Sequence, residues 1–428
     1  MSRRIFLPMG IGIALLAAGM LVKHGGILAL AVPLILYSCL SAIFGTTLTT
    51  PALAIQRTLS RHRMIEGEDV DVTVDISCPF SEPRRASVSI IDPLPAGAVL
   101  LEGENQFLAP LVPGQTVTLT YRMSLPRGEH ALSEVHVTAW SSSGLASQRF
   151  SIEAPSTVTA HPRTESLGAI PIRPRRTRAF AGPVKANIGG QGLDFFGCRS
   201  YVPGDDVRRI NWRAYARADT LIVNEYELER IADVSIIVDA RLAAHCQLTD
   251  ETTFDHAVRG AGSLSSYFLR TGNIVGLLVY GDLVRWVFPG VGKPQERRIL
   301  DALAASYAAE KEVFEDLRNI PTRLFPAQSQ LVFISPLTSD DDVEVIAMLE
   351  ERGYSVLLVC PHASAWEAEQ VKSVPSAHLA VRMAALRRAM FLDSLARTGT
   401  RIVNWDVSEP LSFAIERDLG ISFFRRHV

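Results

Sequence analysis

Residues 234–240 read VSIIVDA, residues 253–272 read TFDHAVRGAGSLSSYFLRTG, and residues 273–281 read NIVGLLVYG. The first and third are short, β-branched-rich and apolar on both faces, as strands covered on both sides are. The second has helical periodicity and ends at Gly272, a helix stop. Strand, helix and strand in this order make a βαβ unit with parallel strands. The alternation continues downstream. VRWVFPG (284–290), QLVFISPL (330–337), YSVLLVCP (354–361) and TRIVNWDV (400–407) read as strands. KPQERRILDALAASYAA (293–309), DDDVEVIAMLEERG (340–353), a long segment at 376–399 and EPLSFAIERDLG (409–420) read as helices. Residues 233–428 are therefore expected to form a Rossmann-like α/β domain around a mainly parallel sheet.

Upstream the period changes from helical to two. VDVTVDIS (70–77), ASVSII (86–91), TVTLTYRMSL (116–125), SEVHVTAW (133–140) and QRFSIEA (148–154) alternate or are β-branched-rich. Turns separate them at Glu66-Gly67-Glu68, Pro95-Ala96-Gly97, Pro113-Gly114-Gln115 and Arg127-Gly128-Glu129. Such short strands predict a β-sandwich of immunoglobulin-like type over 52–161. Residues 162–186, rich in Pro and Arg, read as a linker. Its cluster Arg173, Arg175, Arg176 and Arg178 suits either solvent or an anionic surface.

The N-terminus carries two uncharged runs, 5–22 and 27–44, joined by KHGG. Each has about the 17–25 residues a membrane span needs. Residues 1–48 are thus expected to be a transmembrane α-hairpin rather than a cleaved signal, whose apolar core is shorter. Arg3 and Arg4 before the hairpin, and Arg57, Arg61 and Arg63 after it, outnumber Lys23 in the link. That bias predicts a two-pass protein of the bacterial inner membrane with its soluble domains in the cytoplasm.

The remaining composition narrows the function classes. The chain has 428 residues, a net charge of −2 and five scattered cysteines with no C-x-x-C pair. A nucleic-acid partner, a disulfide framework and a zinc site are not expected. No cofactor is expected either: Gly189-Gly190-x-Gly192 lacks the Lys-Ser/Thr of a phosphate loop. His245-Cys246 lacks an orienting partner for nucleophilic work.

The densest unusual segment is GGQGLDFFGCRSYVPGDDVRRINWRAYARADTLIVNEYELE, 189–229, within a distinct stretch at 187–232. Arg199, Tyr201, Pro203, Gly204, Asp205, Asp206, Arg208, Trp212 and Arg217 mix opposite charges with aromatic rings, so a hydrogen-bonded cluster is expected. It reads either as a clasp between the β-sandwich and the α/β domain or as a partner-binding surface. Catalysis by Asp205 with Asp206 is disfavoured, because neighbours in a turn point apart.

This pattern resembles the signature of the domain-of-unknown-function 58 family (DUF58). Pro126-Arg127-Gly128 through Ser143-Gly144-Leu145 resembles the end of that family's β-domain, and the hairpin fits its architecture. The resemblance implies a von Willebrand A-like C-terminal domain and association with MoxR-type AAA+ ATPases. It implies no established catalytic activity. Domains of the von Willebrand A type often hold a divalent cation with Asp-x-Ser-x-Ser. Here the first strand ends Asp239-Ala240-Arg241-Leu242-Ala243, so both serine positions are changed, to Arg241 and Ala243. A degenerate site without metal is expected, with Asp239 paired to Arg241 or capping a helix. The leading expectation is a non-enzymatic, membrane-anchored scaffold or adaptor working with a MoxR-type ATPase in protein complex assembly. The alternatives are a cell-envelope hydrolase and a ligand-sensing membrane protein.

Overall fold

The computed structural model describes residues 6–45, 53–77, 86–111, 114–140, 147–172, 184–281, 284–309, 325–370 and 375–420. The chain divides into two compact units, Met1–His161 and Pro162–Val428.

The first unit opens with α1 (Phe6–Val22) and α2 (Gly25–Gly45). Lys23, with φ 51°, turns the chain between them. The helices pack through missing side chains: a Cβ on Gly12 would stand 2.8 Å from Ile35 Cγ1, and one on Gly19 3.0 Å from Leu28. The expected hairpin therefore forms. Among the described residues no helix is long and apolar enough to cross a membrane. Seventeen residues in α1 rise only about 25 Å, against a hydrocarbon core of about 30 Å. In α2, side chains are described only as far as Leu40. Large apolar side chains, among them Leu7, Ile13, Leu21, Leu30 and Leu36, stand exposed on both helices.

Nine strands follow: β1 (Ala54–Leu59), β2 (Arg63–Ile65), β3 (Asp69–Ser77), β4 (Ala86–Ile91), β5 (Val99–Gly103), β6 (Gln106–Leu111), β7 (Thr116–Ser124), β8 (Gly128–Trp140) and β9 (Ser147–His161). They form two sheets, ordered β1-β3-β7-β5 and β2-β9-β8-β4-β6. Alternation explains the sandwich. Val70, Val72, Val74 and Ile76 of β3 point inward with Leu119, Tyr121 and Met123 of β7. They meet Val88, Ile90, Val135, Val137 and Val158 from the other sheet.

A buried ion pair crosses this core. Arg57 on β1 donates through Nε and Nη2 to both oxygens of Asp92, at 3.0 and 2.5 Å. Its Nη1 donates to the carbonyls of Leu132 and Ala154. Tyr121 donates its hydroxyl to Asp92 at 2.9 Å, and burial first, then Asp92, pushes that phenol above its usual range. Arg57, counted above among the charges flanking the hairpin, is thus spent inside the sandwich. Arg61 pairs with Glu68 at 3.4 Å.

The second unit begins with residues 162–172 laid on the α/β core. Leu167 and Ile170 are buried there. The Glu165 N–H donates to Ser263 Oγ and the Ile170 N–H to Tyr267 Oη, each at 2.9 Å. The Arg173–Arg178 cluster lies outside the described residues. The long ribbon of β10 (Val184–Ser200) and β11 (Ile222–Arg230), an antiparallel pair with three register shifts, is a sheet of its own. Between its strands sits α3 (Trp212–Ala218).

Beyond the ribbon come β12 (Asp233–Asp239), α4 (Thr253–Arg270), β13 (Ile274–Tyr280), β14 (Val284–Gly290), α5 (Gly292–Ala304), β15 (Gln330–Ile334), α6 (Asp340–Glu351), β16 (Ser355–His362), α7 (Ser364–Gln370), α8 (Pro375–Thr398), β17 (Arg401–Asp406) and α9 (Leu411–Leu419). The sheet order is β14-β13-β12-β15-β16-β17, parallel except for the β14 edge. Strand faces divide by residue parity. Val234, Ile236 and Val238 pack with α4, α5 and α9, whereas Ile237, Leu331 and Phe333 pack with α6 and Leu395 of α8. The order reverses between β12 and β15, which places a topological switch point at the carboxyl ends of those strands.

Candidate functional site

Two places gather chemistry. The first is the ribbon tip. Arg199 at the end of β10 forks onto Asp205, Nη1 and Nη2 each 2.7 Å from a carboxylate oxygen, while Nε reaches Glu225 at 2.7 Å. Asp205 also accepts the Val202 N–H at 2.9 Å. Its hydrogen bonds to Arg199 hold its carboxyl at about 2. The Tyr201 N–H donates to Leu221 O, and the Asn211 N–H to Ile222 O, so the insertion is stitched to β11 at both ends. Asp206 caps the turn Val207–Arg209, and Asn211 caps α3 by accepting the Ala214 N–H at 3.0 Å.

This fixes the tip and decides which signature residues are internal. Arg199, Asp205 and the non-signature Glu225 form the network. Gly204 supplies the turn with φ 111°. Pro203, Asp206, Arg208 and Arg217 are exposed. Trp212 is 59 % exposed, Val202 and Val207 of the same segment are 55 % and 59 % exposed, and Tyr215 meets the Trp212 ring edge-on at 6.2 Å. An exposed tryptophan on a hydrogen-bonded, Arg-rich segment has the composition of a contact hot spot.

The second place is the switch point. Asp239 is fully buried. Its Oδ1 accepts the Arg241 N–H and Nε at 3.1 and 3.0 Å, and its Oδ2 accepts Arg241 Nη2 and Ser335 Oγ, each at 2.8 Å. The same Nη2 lies 2.8 Å from Asp342 Oδ1. Asp342 is the third residue of α6, where it completes a capping box with Ser339. A guanidinium is thus clamped between two buried carboxylates at the place where the resemblance would put a divalent ion. Burial alone would lower the Arg241 pKa, but Asp239 and Asp342 hold it above its ordinary value. Among the described residues no group of three or more His, Cys, Asp or Glu side chains is arranged to hold a metal. Ala243 contributes no ligand atom. Asp342 was missed in the sequence. Its capping-box spacing was legible, but its partner lies 101 residues away.

Beside the clamp a cavity of about 530 Å³ opens, bordered by Cys246, Pro336, His362, Met383, Arg387 and Phe391. Burial pushes the Cys246 thiol up to about 11, so it is not a poised nucleophile. His245 turns away from it, toward the Asp239 carbonyl and Thr253. Burial, with Arg388 nearby, pushes His362 down to about 4. Its Nδ1 accepts the Ser364 N–H, so the 3.7 Å approach to Asp406 involves a neutral ring and is no ion pair at neutral pH. Arg388 binds the Pro336 and Cys360 carbonyls and Asn404 Oδ1 at 3.0–3.2 Å, tying three strand ends together.

Residues 197–356, from the ribbon into the α/β domain, match the family described as "Protein of unknown function DUF58". A Bacillus subtilis (strain 168) relative, "Uncharacterized protein YeaD", is 23 % identical over 257 residues, which cover 58 % of this chain. The chain spans 60 % of that relative's length. Among solved structures, the cupredoxin domain of amoB from Nitrosocaldus yellowstonii covers 29 % of the chain and 96 % of its own length, at 12 % identity and TM-score 0.19. The Pseudomonas fluorescens alkylpurine DNA glycosylase AlkC covers 29 % of the chain and 38 % of its own, at 15 % identity and TM-score 0.15. Likenesses this slight carry no argument about the fold.

Proposed function

We propose that this chain is a non-enzymatic adaptor that binds a protein partner through the tip of its β10–β11 ribbon. One observation carries the reading. The signature segment uses Arg199, Asp205 and Glu225 to brace itself and leaves Trp212, Tyr215, Val202 and Val207 facing solvent. Several large apolar side chains left exposed on one short segment are the composition of an interaction site. Three finer elements join the proposal. The α/β domain is a von Willebrand A-like module, in keeping with its strand order and antiparallel edge. The apolar hairpin anchors the chain in the inner membrane with its folded units on the cytoplasmic side, since side chains such as Leu7, Leu21 and Leu36 need an apolar cover. The partner is a MoxR-type AAA+ ATPase, which rests on family resemblance alone.

Trp212→Ala and Tyr215→Ala should leave melting unchanged and remove the partner from the detergent-solubilised complex. Retention of every co-purifying protein by the double variant would overturn the reading.

A further inference from the structure

Helix α8 carries Leu379, Met383, Leu386 and Met390 in one line, each between 58 % and 66 % exposed. The intervals of four, three and four residues are those of a coiled-coil seam. The helix is held on its domain by the buried Leu395, by Phe391 and Leu392, and by the inward Arg388. The seam therefore belongs to a face that its own domain leaves open. Four aligned large apolar groups over three turns are not the scattered singles of an ordinary surface. Two methionines among them are the adaptable, polarisable kind of contact residue.

Charge says what covers the seam. Exposed Arg382 and Arg387 flank it, and residues 379–392 contain no acid. Asp340 touches Arg387 at 3.4 Å with both side chains mostly in solvent, and Asp393 is engaged by Arg397 at 2.6 Å. The cavity at the switch point adjoins the seam, with Met383, Arg387 and Phe391 on its wall.

We propose that α8 is a docking seam for an amphipathic helix of a protein partner, one with acidic residues beside its apolar stripe and a large apolar side chain seated in the adjoining cavity. A second copy of this chain fits less well, because the same two arginines would flank the seam on both sides of the interface with no acid among residues 379–392 to answer them. A lipid surface favours a wide apolar face, whereas α8 offers one narrow seam with its other side on the domain. The inference does not depend on the ribbon tip.

The probe is a helical peptide of about three heptads with leucine at the seam positions and glutamate beside them; its twin carries lysine instead. Binding is measured by fluorescence anisotropy to the full chain in detergent micelles. The glutamate peptide should bind saturably, and the lysine twin at least about tenfold more weakly. Leu386→Glu should weaken binding by at least about tenfold with an unchanged melting curve. Arg382→Glu with Arg387→Glu should transfer preference to the lysine twin, a reversal that misfolding would not produce. Trp212→Ala should bind the peptide as wild type does, which separates this surface from the ribbon tip. Equal binding of the twins, no binding, or indifference to Leu386→Glu overturns the proposal. So does a dimer in sedimentation that Leu386→Glu dissolves, which would assign the seam to a second copy. Protection of Met383 and Met390 from peroxide by phosphatidylglycerol vesicles, with none from the peptide, would assign it to lipid.

Discussion

At the scale of single residues, buried charge dominates. Arg241 neutralises Asp239 and Asp342, so Arg241→Ser leaves two buried carboxylates facing each other. The expected loss is about 3–5 kcal/mol, read from urea unfolding of the full chain. Mg²⁺ should then restore part of the variant's stability, because two carboxylates and the Ser335 hydroxyl are hard oxygen ligands. It should leave the wild type unmoved, and a wild-type shift would show that Arg241 does not fill the site. Asp92→Asn removes a charge partner from the buried Arg57 and should destabilise by a similar amount. The Asp239–Arg241 half of the clamp was legible, because the two lie two residues apart in sequence. The rest was not: Arg57 read as a charge flanking the hairpin, and Asp342 and Asp92 reach their partners only through the fold.

His362 adds a pH dependence. Its folded pKa is about 4, below its ordinary 6.5. The folded protein therefore keeps the ring neutral while the unfolded chain protonates it. Stability from this group is full above about pH 6.5 and is lost as pH falls toward 4. Asp406, also lowered in the fold, loses stability in the same direction on acidification. Roughly 1–3 kcal/mol is expected from His362 after solvent screening. Chemical denaturation at pH 7 and pH 5 measures it, and His362→Gln should flatten the difference. An unchanged slope in that variant would contradict the assignment.

At the scale of elements, the ribbon was the hardest part to read. Strands β12, β13, β15 and β16 are uninterrupted apolar runs, and their helices carry capping boxes such as Thr252–Asp255 and Ser339–Asp342. Residues 189–197 are glycine-rich and their pairing shifts register three times along the ribbon, so no period of two survives. The apolar Leu167 and Ile170 were hidden in a segment whose Pro and Arg content reads as solvated linker. Within the signature, the internal brace proves to be Asp205 with Arg199, whereas Asp206 and Arg208 face solvent. Arg199→Ala should therefore speed hydrogen exchange at the Tyr201 and Val202 amides, and Arg208→Ala should not. Equal exchange in both variants would remove the brace from the account.

At the scale of the whole molecule, the chain has a hairpin of exposed apolar side chains and two compact units, and the proposed adaptor role makes the hairpin its attachment. If the hairpin sits in a bilayer, the full chain should stay with membranes through an alkaline carbonate wash, and a chain beginning at residue 53 should be released. Release of the full chain would leave the hairpin to pack on protein instead. The central claim is that the ribbon tip is the contact surface, and in-cell photo-crosslinking tests it most directly. A photoreactive residue is placed at Trp212 and, separately, at the exposed Asp250. The expected result is a discrete protein adduct from position 212, containing an AAA+ ATPase, and none from position 250. Adducts of equal yield at both positions, or lipid adducts alone at position 212, would contradict it.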